Sequence, residues 1–234
     1  IGVLFALHVK NRGEQIASFF YVGGSLGVTL AGDFLSFFLF WEIMAFSSVL
    51  LVWYRKSLSS IRTGFRYLLW HVLGGLILFA GIILQYSISH DLTIQHFPFH
   101  GWWPTDIQSL ASFLILLGII FNAAVPPFGA WLPDAYPAAT VTGAVFMSAF
   151  TTKTAVYALI RICSGSEMLI VLGVGMAIYG VVYAVLENDS RRLLAYHIIS
   201  QVGYMVAGVG LGTQMAINGV TAHAFCHILY KSLL

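Results

Sequence analysis

A handful of ionisable side chains stand where their neighbours are almost all apolar. Glu42, in FFLFWEIMAF, lies about ten residues from either end of its apolar run. A carboxylate at the centre of a membrane helix costs about 2.5–3.5 kcal/mol, so it faces protein or water and finds a partner. Such a group can carry a proton or an ion, with an affinity set by its surroundings. It can equally hold two helices together as half of an ion pair. Lys153, in SAFTTKTAVYALI, has Thr151, Thr152 and Thr154 beside it, which suggests a polar seam. A lysine there can exchange its proton as a carboxylate approaches or leaves, although its long stem also permits snorkelling to an interface. In NGVTAHAFCHILYKSLL, His223, His227 and Lys231 are spaced i, i+4 and i+8 and form one stripe on a helix face. Neighbours in that stripe are roughly 6 Å apart along the axis, a gap one water can bridge.

Histidine exchanges protons near neutral pH, so a row of them suits proton hopping. The alternative is a hydrogen-bonded seam between helices. Two histidines a turn apart on one face cannot take opposite axial positions of one haem. A zinc site needs more ligands than the sequence places there. His71, in LLWHVLGGL, sits beside Gly74 and Gly75, which permit close helix contact, and reads as a packing group or a relay member. Tyr196-His197 and Ser200-Gln201 could line a water entry. No nucleophile elbow, phosphate loop or dinucleotide fingerprint is present. No metal and no cofactor are expected.

The stretch GIIFNAAVPPFGAWLPDAYPAATVTG, residues 118–143, begins as an apolar helix and then breaks. Asn122 lies inside the apolar part, and Pro126 and Pro127 follow. A helix break within a bilayer leaves backbone groups without partners and survives only where protein or a wet cavity satisfies them. Asn122, Pro126 and Pro127 therefore mark an internal site.

These groups need long apolar elements to carry them. A mean hydropathy of +0.87, 59% hydrophobic residues and 9% charged residues describe a polytopic helical membrane protein, since soluble domains carry about 25% charged residues. Apolar runs predict eight spans, at roughly 16–32, 33–54, 64–86, 108–132, 138–161, 167–187, 192–211 and 214–234, the fourth being broken. The connection 87–107 reads as an interfacial loop with Trp102 and Trp103 at headgroup level. Lys10, Arg12, Arg55, Lys56, Arg62, Arg66, Arg191 and Arg192 fall on one side of this topology and Arg161 on the other, which makes the first side cytoplasmic by the positive-inside rule. Cys163 and Cys226 give no disulfide framework. The net charge of +2 carries no nucleic-acid signature. Residues 1–234 read as a single transmembrane domain without a signal peptide, a fragment of a longer chain.

Five segments together, FFLFWEIMAF, PPFGAWLPDAYPAATVTGAVF, TKTAVYALIR, NDSRRLLAYHIISQVGYM and HAFCHILYKSLL, resemble the antiporter-like subunits shared by respiratory complex I, membrane-bound hydrogenases and Mrp-type sodium/proton antiporters. The D-type subunits of Mrp antiporters are the nearest match. The resemblance implies a bundle of about fourteen helices with two inverted repeats, each with one broken helix, of which this chain holds the first and the start of the second. It implies that Glu42 is the family's paired glutamate and that Lys153 is the basic residue following the first broken helix. His223, His227 and Lys231 then form the central relay. Asn122 stands where the family has its key lysine, a departure that leaves Glu42 without the usual cation on that helix.

The expected function is proton translocation within a multisubunit monovalent cation/proton antiporter of a bacterial or archaeal inner membrane. Its partners are other membrane subunits, protons, and Na+ or K+. Two alternatives stay open: a redox-driven proton-pumping subunit of the complex I or hydrogenase type, and a non-conducting scaffold, which Asn122 favours.

Overall fold

The computed structural model describes residues 7, 9 and 11–233; Lys10 and Leu234 lie outside the described residues. Nine helices are present among them: α1 Arg12–Leu30, α2 Phe34–Trp53, α3 Leu58–Ser89, α4 Ile107–Asn122, α5 Trp131–Ala138, α6 Val141–Cys163, α7 Glu167–Leu186, α8 Ser190–Leu211 and α9 Gln214–Leu233. Polar side chains fix most of their starts. Asp33 accepts from Ser36 N at 2.8 Å, Ser57 from Ser60 N at 3.0 Å, and Thr140 from Gly143 N at 3.0 Å. Each supplies one of the acceptors that the first turn of a helix lacks. Asp106 and Ser109 form a reciprocal capping box at the start of α4.

Five helices, α2, α3, α6, α7 and α8, are long and apolar enough to cross a membrane, fewer than the eight spans expected. The difference has physical causes. The break ends the apolar part of the fourth run at Asn122, leaving α4 with 16 residues. Helices α1 and α9 have the length but carry polar residues along it: Glu14, Ser18 and Ser25 in α1, and His223, His227 and Lys231 in α9. The apolar periphery of the bundle includes Phe19, Leu30, Leu76, Val185 and Leu186, all well exposed.

Helix α6 is the hub, packing against α1, α2, α4, α5, α8 and α9. Glycines let neighbouring backbones approach closely. A Cβ at Gly118 would collide with the Leu78 backbone across α3 and α4. Along α7 and α8, Gly173 and Gly180 meet Ala207 and Ser200, while Gly203 and Gly210 meet Ala177 and Ile170. These heptad-spaced pairs form the closest seam of the bundle, as expected where lipid offers no hydrophobic drive and small residues allow van der Waals packing.

The connection after α3 is tied down at both ends of its course. Phe34 N donates to Leu92 O at 2.8 Å, and Phe97 N to Ile162 O at 2.7 Å. Phe99 N donates to Ser166 Oγ at 2.9 Å, with the Phe99 side chain buried. The segment thus straps the α1–α2 turn to the α6–α7 turn. Trp102 and Trp103 remain 54% and 79% exposed, as the interfacial reading requires.

At the opposite end of the bundle the basic residues converge. Arg55 and Arg191 both donate to Pro137 O at the end of α5, and Arg66 pairs with Asp134 at 3.3 Å. Arg161 instead reaches Tyr157, whose hydroxyl donates to Thr29 O near the end of α1. The charge asymmetry read from the loops is therefore a real asymmetry between the two ends.

Candidate functional site

The break between α4 and α5 is built from backbone turns and one indole. Ala123 N and Val125 N donate back to Ile119 O and Ile120 O, and Phe128 N donates to Val125 O. Trp131 Nε1 donates to Phe121 O at 3.0 Å, a carbonyl near the helix end that also accepts from Ala124 N at 3.3 Å. The peptide bond Pro126-Pro127 is cis, and Ala124 adopts a positive φ of 59°. Several backbone groups of the break are thus paired within protein, in line with what a break at membrane depth demands.

Two polar regions lie on either side of α6. Residues two apart on a helix point about 200° away from each other, so Thr151 and Lys153 face different neighbours. Thr151 Oγ1 pairs with Tyr21 OH at 2.5 Å and Thr154 Oγ1 with Ser25 Oγ at 2.7 Å, both on α1. Nearer the basic end, Thr140 Oγ1 donates to Glu14 Oε1 at 2.6 Å, and Glu14 is only 8% exposed. Sequence reasoning missed this α1–α6 row of hydroxyls and one carboxylate. Its partners are some 130 residues apart, and only the polar positions of α1 hint at it.

On the other face of α6, Lys153 is 6% exposed and donates to Ser148 O at 2.6 Å. It lies within electrostatic reach of His223, His227 and Lys231. Lys231, also buried, donates to Leu194 O of α8 at 3.2 Å and is within reach of His197. The rings of His223 and His227 are 6.1 Å apart, and His227 is fully buried with neither ring nitrogen hydrogen-bonded among the described residues. The stripe on α9 thus meets Lys153 across the α6–α8–α9 interface, and His197 joins from α8. A cavity of about 160 Å³ lies beside it, lined by Tyr136, Ser148, Arg191, Leu194, Lys231 and Ser232. It runs from Arg191 at the basic end towards Lys231 and the residue whose carbonyl holds Lys153.

A third polar region centres on α2, α3 and α4. Tyr67 OH and Ser48 Oγ are 2.8 Å apart. His71 lies against Tyr67 with centroids 4.1 Å apart and against Trp131 at 4.7 Å. The Asn122 amide faces His71 closely enough to interact, yet neither side chain completes a hydrogen bond. Glu42 is half-buried, and its Oε1 fills the space that a Cβ at Gly75 would occupy. That oxygen has no hydrogen-bond partner among the described residues.

The structure therefore brings together Lys153, His197, His223, His227 and Lys231 in one group, and Glu42, His71 and Asn122 in another. It does not join Glu42 to Lys153. The two ion pairs among the described residues are Arg66–Asp134 at 3.3 Å and Arg192–Glu187 at 3.4 Å, both near the basic end. No cluster of three or more metal-ligating side chains occurs among the described residues.

Comparison with known proteins agrees with this architecture. The family described as NADH:quinone oxidoreductase/Mrp antiporter, transmembrane, matches residues 31–234. The chain is 29% identical over 227 residues to the D-type subunit of the Na(+)/H(+) antiporter of Alkalihalophilus pseudofirmus, covering 92% of this chain and 46% of that protein. It is 32% identical to the A1-type subunit of the Na(+)/H(+) antiporter of Staphylococcus aureus, covering 90% of this chain and 28% of that protein. Among solved structures, a chain of the Mrp complex from Dietzia sp. superposes with a TM-score of 0.81 at 28% identity, over 91% of this chain and 42% of the other. A chain of an archaeal membrane-bound sulfane sulfur reductase complex gives a TM-score of 0.81 at 27% identity, over 91% of this chain and 46% of the other. A chain of respiratory complex I from Thermus thermophilus shares the fold, with a TM-score of 0.82 at 22% identity, over 97% of this chain and 51% of the other. The chain spans less than half the length of the two curated relatives. With a helical membrane bundle, a helix broken between Asn122 and Trp131 and a family match over most of its length, the chain belongs to the NADH:quinone oxidoreductase/Mrp antiporter family of membrane subunits.

Proposed function

We propose that this chain is a proton-translocating part of a multisubunit monovalent cation/proton antiporter, working beside other membrane subunits in a bacterial or archaeal cell membrane. The observation that carries this reading is the meeting of Lys153 with His223, His227 and Lys231, within reach of one another between α6 and α9. Titratable groups this close, with ring nitrogens left free, can pass a proton along the row through single waters. The cavity between Arg191 and Lys231 supplies water access from the basic end. Two lysines within reach of each other cannot comfortably both be charged in a low-dielectric interior. A proton arriving at one therefore favours the departure of a proton from the other, which is the property a relay needs.

The test is Lys153→Gln in the full-length subunit, assembled with its partners in inverted membrane vesicles. With assembly intact, sodium- and potassium-dependent proton movement should fall at least about tenfold, as expected when one group of a relay is lost. Unchanged movement would remove Lys153 from the path and the proposal with it.

Likeness to the sulfane sulfur reductase complex favours a second reading, in which the same path is driven by redox chemistry in other subunits. Proton movement elicited by cations alone, with no electron donor supplied, would decide against it.

A further inference from the structure

Five buried side-chain atoms meet near the helix break without hydrogen-bond partners among the described residues: Glu42 Oε1, both ring nitrogens of His71, and both amide atoms of Asn122. They come from three helices, α2, α3 and α4. Buried polar groups are paired in nearly all folded proteins, so a cluster of orphans calls for an explanation. Residues 71 and 75 are four apart on α3 and share a face. Glu42 Oε1 occupies the Cβ position of Gly75, so the carboxylate sits on that face one turn from His71. The imidazole leans back towards Tyr67, as side chains on helices do, so ring and carboxylate stand more than one helical turn apart, a gap for a short chain of waters.

The surroundings of His71 suit a cation. Two aromatic rings, Tyr67 and Trp131, lie at 4.1 and 4.7 Å from it, inside the roughly 6 Å range of a cation–π contact. Asn122 presents a carbonyl oxygen that can accept from a protonated ring. Trp131 is itself fixed by its bond to Phe121 O, so the break positions one wall of this cage. Tyr67, from its own helix, is the titratable group in contact with His71; Glu42 of α2 stands over Gly75, further along the same face, while α4 contributes Asn122 and α5 contributes Trp131.

We propose that His71 is the proton-exchanging partner of Glu42 at the broken-helix site, with Asn122 orienting the imidazole. In the exchange, the O–H bond of the Glu42 carboxyl breaks and an N–H bond forms on the imidazole, each intervening water taking one proton and passing another on. A neutral acid and a neutral base become a carboxylate and an imidazolium. Asparagine cannot hold the charge on α4, and His71 holds it one contact away on α3. The assignment rests on the proton-translocating reading above.

The experiment compares wild type, Glu42→Gln, His71→Gln and the double variant His71→Gln with Asn122→Lys, all as assembled full-length complexes in inverted vesicles. Glu42→Gln and His71→Gln should each lose most cation-dependent proton movement, at least about tenfold. The double variant should regain a substantial part, because its new ammonium stands beside the same carboxylate. A merely structural role for His71 predicts no such rescue. If Glu42→Gln loses transport while His71→Gln transports like wild type, the His71 assignment is overturned and the proton-translocating reading survives. If neither variant has any effect, the pairing falls, and Lys153→Gln decides the proton-translocating reading separately. Should His71→Gln fail to assemble, 15N-histidine spectra of the unaltered complex decide. A buried imidazole whose protonation responds to Glu42→Gln supports the pairing. Spectra in which no histidine responds to Glu42→Gln contradict it.

Discussion

Trp131 shows how much can rest on one residue. Its indole N–H joins Ala124 N in donating to the Phe121 carbonyl, and its ring walls His71. Trp131→Phe keeps an aromatic ring and removes the shorter of the two bonds to Phe121 O, leaving that carbonyl to Ala124 N at 3.3 Å, at a cost of about 0.5–1.5 kcal/mol. We expect the purified complex to unfold at lower temperature, and transport to weaken because the break loosens. A thermal scan showing no change would mean that Ala124 N alone satisfies Phe121 O. Tyr21→Phe is the milder counterpart: it removes one side of the Tyr21–Thr151 bond, leaves Thr151 free to rotate, and should cost about 0.5–1.5 kcal/mol in the same scan. At this scale the sequence is informative where side-chain type alone carries the message. Glu42, Lys153 and the stripe of His223, His227 and Lys231 stand out because ionisable groups in apolar runs are expensive. The surroundings of His71 are less legible. They depend on Asn122, Trp131 and Gly75, which reach it only through tertiary packing.

Helices differ in what holds them. The α7–α8 pair depends on glycines at which any side chain would strike the neighbouring backbone, as Gly173 does at Ala207. Gly173→Ala should cost about 1–3 kcal/mol through overpacking and lower the yield of assembled complex. Gly175→Ala, two residues away where nothing stands within 4 Å, should be neutral. Equal yields for both variants would show that the seam has slack the backbone distances do not suggest. The helix break is legible because Pro126-Pro127 interrupts an apolar run. Its true form, a 16-residue α4 and a short α5, is not, because the intervening turns are fixed by Trp131 and by backbone bonds. Helices α1 and α9 lie where the apolar runs predict helices, yet they are less apolar than spans of that kind. Their polar residues are spent on neighbours: Glu14, Tyr21 and Ser25 on α6, and the α9 stripe on Lys153. The connection over residues 87–107 reads from its histidines, tryptophans and prolines as an interfacial loop. Its hydrogen bonds to Ile162 and Ser166 cannot be foreseen from residues so distant in sequence.

Across the whole molecule, one end gathers Arg55, Arg66, Arg191 and Arg192, while the other carries Arg161 and the exposed tryptophans. Between them lie two polar regions separated by the body of α6: Glu42 with His71 and Asn122 on one side, and Lys153 with the α9 stripe and His197 on the other. No ion pair joins them among the described residues, so coupling between the two has to pass through α6 or through water around it. This division is what sequence reasoning could least supply, since Glu42 and Lys153 look like natural partners until their helices are placed. Whether protons move through this chain is open to a direct check. The measurement is cation-dependent proton movement in inverted vesicles carrying the assembled complex, wild type against Glu42→Gln, with sodium and potassium tested separately. We predict that the variant complex assembles and loses most of that movement. A fully assembled Glu42→Gln complex that moves protons at the wild-type rate would contradict the proposal.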